Sequence, residues 1–288
     1  MAKENTHLLI AYKVLHKLPN STQDIIKANL EEYLIGSTLP DIFFYYTKTD
    51  HISTQIHQNP TKLTDNIILT YLNQKNLTAK DYSFICGFLT HYATDTIFHP
   101  IIRHLAENHN NNNQAPANNV DLKHRLLETY IDKTLNSQYY LTDRISINNI
   151  QNLDFIKFLT TYATRPIHII IALRIFMLFN KLNMPNQFSK ILWLLNKLHI
   201  INNSEYTMTY QSLTKKSTQS SLKQIEATNS SSDIFKKTSL QKLTSQAIYR
   251  SIREIENFTK YYNKNINLKQ YVKLYGSKSF DTGQKTKG

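Results

Sequence analysis

Two histidine–carboxylate pairs stand out in the chain. The segment 87–100 reads GFLTHYATDTIFHP and sets His91 and Asp95 four residues apart. On a helix that spacing puts both side chains on one face, about 6 Å apart along the axis. Such a pair can chelate one divalent metal ion through an imidazole nitrogen and a carboxylate oxygen. His99 follows one turn later, about 12 Å from His91 along the helix. All three cannot readily share one ion, so the pattern points to two ions with Asp95 between them, able to bridge. His124 and Glu128 repeat the spacing further on. If their helix packs antiparallel to the first, they meet His99 at the second ion. Chance supplies about one His-x3-acid pair at this composition, and a lone pair reads as a surface ion pair or a hydrogen-bonded core histidine.

The elements that must position these groups are helical. Apolar residues recur at helical period over Thr6–Leu18, Thr22–Ile35, Leu63–Leu72, Thr78–His99, Val120–Leu135, Leu153–Thr164, Pro166–Leu182, Pro185–His199 and Ser239–Lys260. Ser21 or Thr22 reads as a cap for the second segment, which stops at Gly36. Thr78 with Asp81 forms a variant capping box at the start of the long helix, and Pro100 should end or kink it. Residues 37–60 read as irregular, with Pro40 and Pro60 as breakers. The run NHNNNNQAPANN (108–119) reads as a loop, 212–232 as helical or loose, and 276–288 as a frayed tail. The fold class expected is all-α.

Composition narrows the chemistry. The 288 residues are 41% hydrophobic, enough for a real core. Five glycines and seven prolines are too few for a turn-rich β-sandwich or a glycine-cradled nucleotide fold. A single cysteine, Cys86, excludes a disulfide scaffold and cysteine-based zinc fingers. Metal chemistry must therefore use imidazole and carboxylate, and nine of the 11 histidines precede residue 150. Residues 1–150 hold 13 Lys/Arg against 14 Asp/Glu, and residues 151–288 hold 21 against 7. The first half is near neutral and the second strongly basic, which suits an anionic partner, a membrane surface or an acidic face of the chain itself.

No signal peptide is evident at MAKENTHLLIAYKVLHK, and no run is long enough for a transmembrane helix. The most apolar stretch, Ile167–Phe179, contains His168 and Arg174 and reads as a buried helix. A cytoplasmic protein is expected, with peripheral attachment to a membrane as an alternative.

Taken in order, the first half presents His7 in THLL, Asp41 in GSTLPD, His57 after Ile56, His91 and Asp95 in GFLTHYATD, His99-Pro100, and His124 with Glu128. This ordered set, over about residues 5–135, resembles the zinc-dependent phospholipase C family, whose fold is shared with the S1/P1-type nucleases. The resemblance implies that Asp41, His57, His91 and Asp95 hold one zinc ion and that His99, His124 and Glu128 hold a second. It implies that His7 holds a third, with Asp95 as bridge. Asp41 would also orient or deprotonate the attacking water. His51 is a rival to His57, six residues earlier. The family completes the third ion with a processed N-terminal tryptophan; here the amine of Met1 or Ala2 would stand in its place. The spacing from Asp95 to His99 is also tighter than in the secreted enzymes.

The expectation is a phospholipase C/P1 nuclease-like helical domain over 1–150, a basic helical extension over 151–275 packed on or beside it, and a flexible tail over 276–288. The activity implied is that of a phosphodiester hydrolase with two or three Zn2+ ions, in which metal-bound hydroxide attacks a phosphodiester of a phospholipid. An S1/P1-like nuclease and a catalytically inactive helical binding protein are the alternatives. Lysines interleave with aromatics at 258–264 and 269–275, which suits either an anionic membrane surface or a nucleic acid strand. His16, His104, His109, His168 and His199 read as surface or packed residues. Cys86 and Trp193 read as core, and Gly87 as a site of close helix packing.

Overall fold

A helix crossing at two glycines sets the geometry of the molecule. In the computed structural model, residues 3–57, 67–73, 76–107, 117–135, 144–162, 165–182 and 237–275 are described, with a few positions between 194 and 200. All regular structure among the described residues is helical, as expected. The elements run α1 (Glu4–Leu15), α2 (Asn20–Ala28), α3 (Leu30–Gly36), α4 (Leu39–Ile42), a single 3-10 turn (Phe43–Tyr45), α5 (Asp50–His57), α6 (Ile67–Asn73) and α7 (Ala79–Glu107). They continue with α8 (Ala117–Thr134), α9 (Ile147–Asn152), α10 (Asp154–Tyr162), α11 (Pro166–Leu182), α12 (Lys237–Tyr262) and α13 (Leu268–Leu274).

Helix α7 is the axis of the fold. Helices α1, α2, α3, α8 and α12 all pack on it. Its N-terminus is closed by the reciprocal bonds expected of Thr78 and Asp81: the Asp81 N–H donates to Thr78 Oγ1 at 3.2 Å and the Thr78 N–H to Asp81 Oδ2 at 2.9 Å. Pro100 does not end it. The helix runs on to Glu107, and Phe98, Ile102, Leu105 and Ala106 are fully buried on the turns around the proline. That burial outweighs the roughly 3 kcal/mol cost of a proline inside a helix.

Other boundaries depart from the periodic reading. The segment expected as one helix over Thr22–Ile35 is two, broken at Asn29 (φ −133°, ψ 46°), whose side-chain amide donates to the Ile25 carbonyl. Helix α2 opens at Asn20 behind Pro19, so neither Ser21 nor Thr22 caps it. The stretch read as irregular contains α4, the 3-10 turn and α5. Pro40 lies in the first turn of α4, where its missing N–H costs nothing. Helix α13, not foreseen, carries a capping box from Asn267 and Gln270. The expectations for 108–116, 183–193, 212–232 and 276–288, with Trp193, His109 and His199, lie outside the described residues.

The C-terminal helices share the core of the first half. Tyr82 of α7 stacks on Phe258 at 5.6 Å and meets Tyr262 at 4.4 Å, and Tyr261 stacks on Tyr271 at 5.4 Å. Phe258, Tyr271 and Tyr275 are buried. The aromatics interleaved with lysine are thus packed inward, not presented as a platform on which bases could stack.

Gly36 of α3 and Gly87 of α7 face each other. A Cβ on Gly36 would lie 2.0 Å from the Phe84 carbonyl oxygen, and one on Gly87 would lie 1.9 Å from that of Tyr33. No side chain can relieve such contacts, because the opposing atoms are backbone. Gly87→Ala should therefore force α3 off α7 and cost about 3 kcal/mol or more, the upper end for overpacking. Urea unfolding of the metal-free protein measures it; a loss under about 1 kcal/mol would show that the crossing is not rigid.

Candidate metal centre

The Gly36–Gly87 crossing brings the backbone after α3 against the next turn of α7. There His91 Nδ1 lies 3.0 Å from the Ser37 carbonyl oxygen. His57, at the end of α5, places its Nδ1 2.7 Å from the Ser53 carbonyl oxygen one turn back. A carbonyl can only accept, so both rings carry a proton on Nδ1 and turn Nε2 inward. Asp41 enters from α4, and Asp95 from α7 one turn beyond His91.

These four side chains converge. Asp41 Oδ1 lies 3.2 Å from His57 Nε2 and 3.6 Å from His91 Nε2. Asp95 Oδ2 lies 3.5 Å from His57 Nε2 and 3.1 Å from His91 Nε2. The two Nε2 atoms are 3.5 Å apart. Ligands about 2.0–2.1 Å from a tetrahedral zinc ion are separated by about 3.3–3.4 Å. The five spacings given lie within about 0.3 Å of that value.

A second group adjoins it. His99 Nε2 lies 3.5 Å from Asp95 Oδ1 and 3.8 Å from Glu128 Oε1, and His124 Nε2 lies 2.9 Å from Glu128 Oε1. Helix α8 packs on α7, which brings the His124–Glu128 pair to His99. The donor atoms of Asp41, His57, His91 and Asp95 fall within 4.8 Å of one another, as do those of His99, His124 and Glu128. Asp95 touches both groups, the bridging position inferred from the helical spacing.

His7 stands beside the first group. Its Nε2 is 3.4 Å from Asp95 Oδ1 and 3.6 Å from Asp41 Oδ2, and its ring stacks on His91 at 3.9 Å. His51, the rival to His57, is exposed at the start of α5. His16 and His104 are exposed, and His168 touches Tyr46 edge-on. Phe44, half-exposed, lies against the His57 ring at 5.4 Å and forms an apolar rim.

The donor set fits a metal. His7, Asp41, His91, Asp95 and His99 are at most 3% exposed. Both ring nitrogens of His7, both oxygens of Asp95 and Oδ1 of Asp41 are buried without a well-formed hydrogen bond. Polar atoms so placed are costly unless something compensates them. Neutral imidazole with carboxylate is the zinc donor set that a chain without a second cysteine can supply.

Residues 6–174, more than half the chain, match the sequence profile described as zinc dependent phospholipase C. The chain belongs to this family. No curated protein and no solved structure matches it. The family's description accords with two groups of residues that could hold zinc.

Some contributors carry no sequence signal. The Ser37 and Ser53 carbonyls orient imidazoles, but backbone acceptors have no residue signature. Asp132 of α8 accepts from the Thr6 N–H and hydroxyl on α1, a contact across 126 residues. Its place four residues after Glu128, on the same helix face, is the one sign that could have singled it out.

The electrostatics of the metal-free protein set a pH dependence. Burial alone would lower the His57 imidazole, but the Asp41 and Asp95 carboxylates outweigh it and push it up to about 10. Burial would raise Asp95 and Asp41. The facing imidazoles, His99 and His91 for Asp95 and His91 and His57 for Asp41, hold both below the usual carboxylate range. Raised His57 stabilises the metal-free fold below about pH 6.5, and that contribution is lost as pH rises toward 10. The lowered carboxylates stabilise it above about pH 4, and that contribution is lost in stronger acid. A metal must displace the His57 proton, so binding strengthens as pH rises. Zinc titrated into metal-free protein at pH 7 should release about one proton or more, read by calorimetry in buffers of different ionisation enthalpy. The zinc-induced gain in melting temperature should grow from pH 5 to pH 8. Zero proton release, or a gain that shrinks with pH, contradicts this electrostatic account.

Proposed function

We propose that the protein is a zinc-dependent phosphoric diester hydrolase acting on phospholipid. The observation that carries this reading is the close spacing of buried Asp41, His57, His91 and Asp95, with a second group sharing Asp95. Membership of the family supports the chemistry and the substrate class.

In this reading Asp41, His57, His91 and Asp95 hold one ion, His99, His124 and Glu128 a second, and His7 with Asp95 contributes to a third. Zinc so held supplies a Lewis acid for the phosphate and lowers the pKa of bound water to about 7. Asp41 is the chain's own candidate for handling the water. Burial works against its charge, but His91 and His57 keep its carboxyl deprotonated, so it can accept a proton or orient the attacking O–H. Water adds to phosphorus as the bond to the glycerol oxygen breaks. The products are a phosphorylated head group and diacylglycerol, whose alkoxide takes up a proton. His124 (26% exposed side chain) and half-exposed Phe44 mark the open side, whereas His91 and Asp95 lie fully within.

No described helix is long and apolar enough to cross a membrane. In this reading substrate reaches the centre from the side of His124 and Phe44.

Zinc-loaded protein should hydrolyse phosphatidylcholine in micelles, lose the activity to a chelator and regain it with zinc. Asp41→Asn should lower kcat by about 10²–10⁴-fold, the range for a general base. Phosphate assay against micelles, with a single-stranded oligonucleotide in parallel, decides the class. Cleavage of the oligonucleotide alone makes it a nuclease. Turnover of neither substrate by a zinc-loaded sample makes it a binding protein.

A further inference from the structure

The imidazoles in and beside the first group are not held in the same way. His91 and His57 each rest a ring nitrogen on a backbone carbonyl, Ser37 and Ser53. His7 does not: neither of its ring nitrogens makes a hydrogen bond. Its ring is stacked within 13° of parallel on His91, with Nε2 3.4 Å from Asp95 Oδ1 and 3.6 Å from Asp41 Oδ2, and no backbone carbonyl orients it. The position of His7 is therefore set by the helix that carries it, and by how firmly that helix is anchored at its start.

Helix α1 has no side-chain cap of its own; Lys3 at the cap position makes none. Its anchor comes from another helix. The Asp132 carboxylate accepts the Thr6 backbone N–H at 2.7 Å and the Thr6 hydroxyl at 2.6 Å on Oδ1. Its Oδ2 accepts from the Asn5 amide at 3.4 Å. Asp132 is fully buried. The Thr6 N–H also reaches the Lys3 carbonyl at 2.9 Å, so it is shared, and the carboxylate meets the positive end of the helix dipole. Thr6 immediately precedes His7. On α8 the residues His124, Glu128 and Asp132 fall at every fourth position, so one helix face supplies two groups of the second cluster and then the anchor for α1.

We propose that Asp132 is a positioning residue for the metal centre: by clamping Thr6 it holds His7 against Asp95 and Asp41. This rests on the reading of the site as a zinc centre. Residues that orient metal ligands from outside the coordination shell commonly contribute about 10–100-fold in metal affinity. Asp132 does so through a backbone, holding the helix rather than the ring.

The test measures zinc affinity of the full-length chain by competition with a chromogenic chelator. A melt in excess EDTA confirms folding of each variant. Asp132→Ala should weaken zinc binding about 10–100-fold, and His7→Ala by a comparable factor. The double variant should bind no more weakly than His7→Ala alone, because Asp132 acts only through His7. Asp132→Asn, which keeps an acceptor for Thr6, should retain most of the affinity. Thr6→Val, which removes only the hydroxyl bond, should give an intermediate loss even if Asp132→Ala fails to fold. Affinity unchanged in folded Asp132→Ala or in Thr6→Val, or additive losses in the double variant, would overturn the role of Asp132. A wild-type chain that takes up no zinc would instead overturn the reading of the site itself.

Discussion

A buried carboxylate without compensation costs several kcal/mol, and this chain buries Asp41, Asp95 and Glu128 among buried imidazoles. The rest of the structure follows from that constraint. The charges compensate one another in part, as the opposed pKa shifts of His57 and of the two aspartates show. The compensation is incomplete, because oxygens of Asp41 and Asp95 and both nitrogens of His7 lack a well-formed hydrogen bond. A divalent cation would resolve the imbalance and would account for donor atoms that stand 3.1–3.6 Å apart. On the proposed reading the site is more costly without metal than with it, which would link metal uptake to stability.

Holding such a site needs backbone precision, and the chain achieves it with close helix contacts. Gly36 and Gly87 let α3 and α7 touch along their backbones, and the same crossing carries the Ser37 carbonyl to His91. Ser53 anchors His57 within α5, and its own hydroxyl bonds the Pro40 carbonyl next to Asp41. Two turns of chain distant in sequence are thereby tied together at the two ligands they present. Asp132 ties α1 to α8. Helix α12 also packs along α7 with an aromatic layer, so the described C-terminal helices buttress the long helix that carries His91, Asp95 and His99.

Much of this was legible in the sequence, for identifiable reasons. His91, Asp95, His124 and Glu128 sit on long regular helices, where a spacing of four translates directly into a shared face. Asp95 as the shared group followed from the same arithmetic. Asp41, His57 and His7 were reachable only through the family resemblance, because their convergence depends on tertiary contacts that no local period encodes. The stretch 37–60 read as irregular because its elements are short and Pro40 serves in a first helical turn. The break at Asn29 was hidden because apolar periodicity continues across it. Pro100 misled in the other direction, since burial of the surrounding apolar residues keeps the helix whole. The lysine–aromatic runs suggested a binding face, but their rings fill the seam between α7, α12 and α13.

The central claim is that these side chains surround shared cations, and anomalous diffraction at the zinc absorption edge tests it most directly. Crystals of protein purified without chelator should show one peak enclosed by Asp41, His57, His91 and Asp95 and a second among His99, His124 and Glu128. Zinc-supplied crystals with these side chains ordered and no anomalous density between them would contradict the account.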